Sequence, residues 1–117
     1  MKLITKAQWQ KLRANDKKLK ENEMISIRDE KVVVKLFNPY GIGTWHIYSV
    51  DENDVCFGIA TLHYTEYGDF SLQELIDLRV PPFNLPIERD RHYSPQTFRE
   101  VEEQAKLVVY NPDHGIK

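Results

Sequence analysis

A long segment in the middle of the chain, residues 32–70, alternates runs of β-branched and aromatic residues with short turn sequences. The breaks "NPYGIG" and "DEND" are strong turn signals, and connections this short join antiparallel neighbours. The segment therefore predicts a β-meander. Its strands are expected at Val32–Phe37, Thr44–Val50, Val55–His63 and, as a short fourth strand, Tyr67–Phe70.

The third of these strands is apolar on both of its faces. Phe57 and Ile59 alternate with Cys56 and Ala60, so each side of the strand carries side chains that favour burial. Such a strand is typical of the interior of a sheet that is covered on both faces. We therefore expect it to be the central strand.

The segment before the meander has helical spacing. "TKAQWQKLRAN" starts with Thr5 and Gln8, a capping-box pair, and predicts a helix over about Lys6–Ala14. The charged residues 15–31 that follow show neither the hydrophobic period of a helix nor that of a strand. We expect them to form a solvated connection.

Two more helices and a fifth strand are predicted after the meander. "SLQELIDLR" predicts a helix that has Ser71 as its N-cap and ends before consecutive prolines, which cannot continue a helix. Its helical spacing places four residues along one side: Leu72, Leu75, Ile76 and Arg79. "LPIERDRHY" has the character of a strand, and "SPQTFREVEEQAKLVVY" predicts a helix with Ser94 at the N-cap and Pro95 at its first position. The core face of this helix is predicted from residues that fall three to four apart: Phe98, Val101, Ala105 and Val108. An antiparallel sheet of four or five strands with two or three packed helices is an α+β fold.

The composition is that of one ordinary globular domain, with 117 residues, 41% hydrophobic and 29% charged. We expect a single domain over residues 1–117, with a flexible tail at 111–117. The net charge of -2 supplies no broad positive field for nucleic acid or anionic lipid. No stretch approaches the ~20 apolar residues of a membrane span, and the single cysteine, Cys56, fits a reducing compartment, so we expect the cytoplasm.

The densest group of ionisable side chains is "PIERDRHY", residues 86–93. Alternation along a strand places Glu88, Asp90 and His92 on one face, a combination that can begin a divalent-metal or acid/base site. Neighbours on one face of a strand lie about 7 Å apart, which is too far to share one small ion without help. Charges on an outer strand also discourage aggregation between sheets.

Arg89 points to the opposite face of the same predicted strand. We expect its guanidinium to be held by a carboxylate, for which the obvious partners are Glu66, Asp69 and Glu74. A pair between Arg89 and Glu66 beneath the second helix is the leading explanation. The charged run would then serve chiefly as a structural clasp that fixes the fifth strand.

The turn "NPYGIGTW" is a second candidate surface. It lacks the lysine and the helix of a phosphate-binding loop, so it is a hairpin in which Gly41 and Gly43 supply positive φ. Tyr40 and Trp45 flank this turn and can form an exposed aromatic contact surface.

Four blocks occur in order along the chain: "VVKLFNPYGIGTWHIYSVD", "FGIATL", "EYGDFSLQELIDLR" and "LPIERDRHY". In this combination the chain resembles a family of small bacterial proteins, frequent on plasmids and other mobile elements, that is catalogued as domain of unknown function 2958. The resemblance runs from "LIT" to "RHYSP". It implies an association with mobile DNA and carries over no catalytic residue.

The leading hypothesis is a non-catalytic accessory protein that binds a protein of the host or of the mobile element. We expect no cofactor and no bound metal, and the oligomeric state stays open. The candidate binding residues are Tyr40, Trp45, Glu66, Glu88, Arg89, Asp90 and His92.

Two alternatives remain. One is a small metal-dependent hydrolase or other enzyme built from Glu88, Asp90 and His92, with Glu66 or His63 as a further member. The other is nucleic-acid binding through the basic segment "KKLK" after the first helix. That segment lacks the aromatic residues that stack on bases.

Overall fold

The fold is α+β, as predicted, with a five-stranded antiparallel sheet and three helices. A computed structural model describes the backbone of residues 3–110 and the side chains of residues 3–105. The elements are α1 (Lys6–Glu21), a 3-10 turn (Ile27–Asp29), β1 (Lys31–Val32), β2 (Val34–Phe37), β3 (Thr44–Val50), β4 (Val55–Thr61), β5 (Thr65–Ser71), α2 (Leu72–Asp77), β6 (Arg79–Val80), β7 (Leu85–Pro86), β8 (Glu88–Arg89), β9 (Gln96–Thr97) and α3 (Phe98–Tyr110).

The strand order of the main sheet is β5-β4-β3-β2-β8. The meander prediction is confirmed, because β2 to β5 follow one another as antiparallel neighbours. The predicted first strand is interrupted at Val33, whose N–H donates to the carbonyl of Ile47. Its first part, β1, pairs instead with β9. The predicted fifth strand is also divided, because β7 pairs with β6 while β8 joins the edge of the main sheet.

The sheet has a hydrophobic core on each of its faces. On one face, alternate strand residues such as Leu36 and Ile47 pack with the buried Leu12 of α1 and Leu72 of α2. On the other face the second core includes the fully buried side chain of Phe98, from α3. Strand β4 is covered on both faces as predicted. The central strand, however, is β3, and β4 lies one position nearer the edge.

Helix α1 extends seven residues, about two turns, beyond the end that the sequence pattern predicted. Asn15 is buried, and its Nδ2 donates to the carbonyl of Tyr48 at 2.8 Å, while Leu19 packs against the second core. Asp16 and Lys20 form an i,i+4 ion pair on the outer side. Residues 15–21 are therefore helix and not a solvated connection, because tertiary contacts supply what the local pattern lacks.

Helix α3 begins three residues later than predicted. Gln96 and Thr97 form a strand with β1, so Ser94 is not an N-cap and Pro95 is not the first helical residue. A capping box forms instead between Thr97 and Glu100, in which each backbone N–H donates to the other side chain. The predicted core positions Phe98 and Val101 are buried.

Within residues 3–110, no helix combines the length and the apolar character needed to cross a bilayer. The prediction of a flexible tail at 111–117 falls outside the described residues, as does the predicted core side chain of Val108.

Candidate functional site

An open groove of about 1240 Å³ lies at the β8 edge of the sheet. It is lined by the start of α1, by one side of α2 and by Pro86–His92. Its apolar lining includes Trp9, Phe37 and Ile76. Ile76 was predicted to lie on the same side of the helix as Leu72 and Leu75, which are buried, but Ile76 is 39% exposed because the groove is open on its side of α2.

The charged lining of the groove is positive on balance. Among the described residues it contains four Lys and Arg residues and two carboxylates, in a chain whose overall net charge is -2. Oδ2 of Asp90 lies 3.7 Å from Nζ of Lys35, so the ammonium group of Lys35 compensates part of the negative charge in the groove. The charged residues that line the groove are Lys6, Arg79, Arg89, Arg91, Glu88 and Asp90.

Arg89 fastens the start of the chain to the edge of the sheet. Its guanidinium Nη1 donates to the carbonyl of Leu3 at 2.8 Å in a partly buried setting. The predicted pair with Glu66 is wrong: Glu66 lies on β5 and Arg89 on β8, at opposite edges of the sheet. Four strand spacings, about 19 Å, separate these edges. Arg89 therefore does fasten two parts of the chain together, as predicted, but through the backbone carbonyl of Leu3 and not through Glu66.

Glu88, Asp90 and His92 all line the groove, but not as one row on a strand. Strand β8 ends at Arg89, and the next residues turn. In this turn the backbone N–H of His92 donates to Oδ1 of Asp90 at 2.9 Å. The predicted alternation beyond Arg89 is therefore wrong. Among the side chains of residues 3–105, no group of three His, Cys, Asp or Glu is placed to hold a metal ion.

The tips of two hairpins form an exposed apolar patch, which we call the hairpin-tip patch: Tyr40, Ile42 and Phe83. These side chains are 51%, 58% and 64% exposed, respectively. The rings of Tyr40 and Phe83 meet edge to face, with centroids 5.2 Å apart. The prediction that Tyr40 is exposed is thus confirmed.

Trp45, the other aromatic residue of the predicted contact surface, belongs to the core and is only 7% exposed. The position of the Trp45 ring explains why glycine is needed at one of the two glycine positions of the turn. Gly43 has φ of 140°, and a Cβ there would lie 2.8 Å from the Trp45 ring. Positive φ at Gly41 is not found, so that part of the turn prediction is wrong.

The hairpin-tip patch continues the groove. Arg79 and Pro86 pair at the base of the β6–β7 hairpin and line the groove, while Phe83 stands at the tip of the same hairpin. Phe37 also lines the groove, directly before the loop that carries Tyr40. Groove and patch therefore form one continuous surface, which we call the binding face.

Several residues of the binding face were not foreseen from the sequence. Phe83 lies in "VPPFNLP", where an aromatic residue in a proline-rich turn was an available signal of exposure. Lys6, Trp9 and Arg79 gave no such signal, because only the packing of α1 and β6 brings them to β8.

The remaining chemical candidates lie elsewhere. Burial raises the pKa of the Cys56 thiol to about 12, so it stays protonated, as expected of a core residue. His63 is exposed beyond the end of β4, two strands away from β2 and three from β8, and does not line the groove. It cannot join Asp90 and His92 in one site.

The basic segment "KKLK", proposed for nucleic-acid binding, is the last part of α1. Lys18 donates to Glu30 at 2.7 Å, and Lys20 contacts both Asp16 and Glu52. These carboxylates neutralise the lysine charges that would otherwise attract a phosphate backbone. The segment therefore offers little local positive field.

Comparison with protein families yields a match over most of the chain. The sequence profile of the family described as "Protein of unknown function (DUF2958)" matches residues 3–106. No curated protein and no solved structure matches the chain. The match agrees with the family resemblance drawn from the four sequence blocks and includes every residue that lines the groove. The chain therefore belongs to the family Protein of unknown function (DUF2958).

Proposed function

We propose that this protein is a non-catalytic accessory protein that binds another protein through its binding face. The observation that carries the proposal is the exposed Tyr40–Phe83 pair at the end of a groove with a mixed apolar and charged lining. Isolated exposed apolar residues need no explanation, but a contacting aromatic pair beside a groove is typical of an interaction surface.

The local structure supports this proposal. Both aromatic residues lie on short hairpin loops, which limits the conformational freedom that binding has to remove. The Asn38 side chain braces the loop of Tyr40: its Nδ2 donates to the carbonyl of Ile42 at 3.1 Å, and its Oδ1 accepts the N–H of Tyr40 at 2.8 Å. Tyrosine is also one of the residues most enriched at binding hot spots.

We further propose that the partner is a protein of the bacterial host or of a mobile element, in the cytoplasm. The resemblance-based association with mobile elements motivates the first part of this proposal. The buried, protonated Cys56 fits a reducing compartment and motivates the second.

Site-specific photocrosslinking in bacterial cells tests the proposal. A photoreactive phenylalanine analogue replaces Ile42 in the patch, and in a matched control it replaces Tyr64, which is 78% exposed on the β4–β5 turn. Because only position 42 lies on the binding face, we expect a discrete adduct with one protein from position 42 and none from position 64.

The substitutions Tyr40→Ala and Phe83→Ala together should abolish that adduct while leaving the thermal midpoint within a few degrees of wild type, because both side chains are largely exposed. The absence of a discrete adduct at position 42, or equal adducts at both positions, would contradict the proposal.

A further inference from the structure

A second open pocket, of about 420 Å³, lies where the last turns of α1 meet strands β3, β4 and β5. Its size falls within the ~300–1,000 Å³ that is typical of small-molecule sites. Among the described residues it shares no lining residue with the groove, so it is a separate feature of the molecule. The apolar part of its lining consists of Leu19, Ile25, Ile27, Val55 and Phe57.

The charged lining of this pocket, which we call the acidic pocket, consists of carboxylates alone among the described residues. It contains four carboxylates and no Lys, Arg or His: Asp16, Glu23, Asp51 and Asp69. Oδ2 of Asp16 lies 3.0 Å from Nζ of Lys20, so this carboxylate is paired. The other three form no ion pair within residues 3–105.

Two lysines at the end of α1, close to the acidic pocket in sequence, are engaged by other carboxylates. Lys18 donates to Glu30 at 2.7 Å, and Lys20 is shared between Asp16 and Glu52. Neither Glu30 nor Glu52 lines the pocket. The acidic pocket therefore keeps a negative local potential, which favours a cationic ligand.

Ser49 adds a buried hydroxyl group to the lining. The residue is 2% exposed, and its hydroxyl group forms no hydrogen bond within residues 3–105. The register shift in β3 between Ile47 and Ser49 places Ser49 opposite Phe57, and thus on the pocket side of the sheet. A buried hydroxyl group without a partner costs stability, so this group marks a place for a ligand that donates a hydrogen bond.

The spacing of the carboxylates decides between kinds of cation. Among the side chains of residues 3–105, no group of three His, Cys, Asp or Glu could hold one metal ion. A ligand whose positive charges are spaced along a flexible apolar chain can instead meet carboxylates that lie apart. Its methylene groups can at the same time contact the apolar lining.

We propose that the acidic pocket binds an aliphatic polyamine, whose ammonium groups pair with Glu23, Asp51 and Asp69. One ammonium N–H donates to the Ser49 hydroxyl group, and the methylene chain packs on apolar residues such as Phe57. This inference does not depend on the proposed protein binding, because the binding face lies elsewhere on the molecule.

Titration of the isotope-labelled full chain with spermidine, followed by backbone chemical shifts at ~0.15 M salt, tests the inference. We expect saturable shift changes at residues 22–27, 49–57 and 69, which line or flank the acidic pocket. Butylamine has a single ammonium group and can meet only one carboxylate. It should therefore bind about tenfold more weakly than spermidine, or weaker still.

Charge-neutralising variants locate the binding. The double variant Glu23→Gln, Asp69→Asn changes two exposed side chains of the pocket and should weaken spermidine binding by about tenfold or more. The control variant Glu66→Gln, Glu103→Gln changes the net charge equally at exposed positions outside the pocket. It should leave the affinity within about twofold of wild type.

The variant Ser49→Ala tests the hydroxyl group. It should weaken spermidine binding by about fivefold, because it removes one hydrogen-bond acceptor of the ligand. The thermal midpoint should stay within a few degrees of wild type, because the hydroxyl group has no partner within residues 3–105.

Several outcomes would overturn the polyamine site. They are the absence of saturable shift changes, equal weakening by the two double variants, unchanged affinity in Ser49→Ala, and displacement of spermidine by an equal concentration of Mg²⁺. A blocked peptide with two lysines that binds more tightly than spermidine would overturn it in favour of lysine side chains of a partner protein.

Discussion

At the scale of single residues, Gly58 shows why a small side chain is needed inside the sheet. A Cβ at this position would lie 1.9 Å from the carbonyl oxygen of His46, which is backbone and cannot move aside easily. The close approach accompanies a register shift in β3 between Ile47 and Ser49. Its partner on β5, Gly68, has nothing within 4 Å of a corresponding Cβ.

These two glycines make a matched pair for mutation. Gly58→Ala should lower the free energy of unfolding by about 3 kcal/mol, because the added methyl group forces β3 and β4 apart. Gly68→Ala should change it by about 0.5 kcal/mol or less. Urea denaturation of both variants checks this, and equal effects would contradict the described register.

His46 links burial to acid sensitivity. Its side chain is 7% exposed, and within the described residues its Nδ1 has no hydrogen-bond partner. Burial, assisted by the positive charge of Lys35, lowers its pKa from 6.5 to about 4. The unfolded chain therefore binds a proton at His46 before the folded chain does, so folding stability is present above pH 6.5 and is lost as pH falls toward 4.

The size of this effect follows from the pKa difference. Between pH 7 and pH 4, wild type should lose about 3 kcal/mol more stability than His46→Leu, in which no proton binds at this position. Denaturant titrations at both pH values measure the difference. The contributions of the carboxylates to the pH dependence cancel, because both proteins have the same carboxylates. Parallel losses in wild type and variant would show that His46 titrates normally in the folded protein.

Single-residue inferences from the sequence succeeded where local rules decide the outcome. Thr5 and Gln8 form the predicted capping box, and Ser71 accepts the N–H of Glu74 at the start of α2. They failed where the partner is distant in sequence. The pairing of Arg89 with Leu3, 86 positions away, depends on strand order, which alternation alone does not reveal.

At the scale of elements, the bounds of the strands follow from local sequence, whereas the ends of the helices depend on contacts that are distant in sequence. The bounds of β3 were predicted to the residue, because a β-branched and aromatic run ends at turns on both sides. The length of α1 was not predicted correctly, because its last two turns carry mostly charged residues. These turns depend on Asn15 and Leu19, which pack on the sheet. The start of α3 was displaced by pairing of Gln96 and Thr97 with β1.

The attachment of the N-terminal segment to β8 gives an element-scale prediction. Arg89→Met removes the donor to the Leu3 carbonyl, so amide hydrogen exchange of residues 3–9 should become about tenfold faster. Arg28→Met is the control: Arg28 donates to Glu102 of α3, far from this segment in the fold, and should leave residues 3–9 unchanged. Unchanged exchange in Arg89→Met would contradict a clasp.

At the scale of the whole molecule, the sequence supplied parts of the binding face but not its assembly. Tyr40 and four residues of the charged run were predicted as binding residues, each from its own local pattern. The four are Glu88, Arg89, Asp90 and His92. That they belong to one surface follows from β8 joining β2 and from the β6–β7 hairpin reaching Tyr40. Glu66 and Trp45 are not on this surface, since one lies on β5 at the far edge and the other is in the core.

Backbone chemical-shift mapping by NMR, with the protein captured by crosslinking added to the isotope-labelled chain, tests the binding face most directly. We predict shift changes concentrated in residues 3–9, 37–43 and 79–92, which form the groove and the hairpin-tip patch. Changes concentrated instead on β5 and α3, on the other side of the molecule, would contradict binding at this surface.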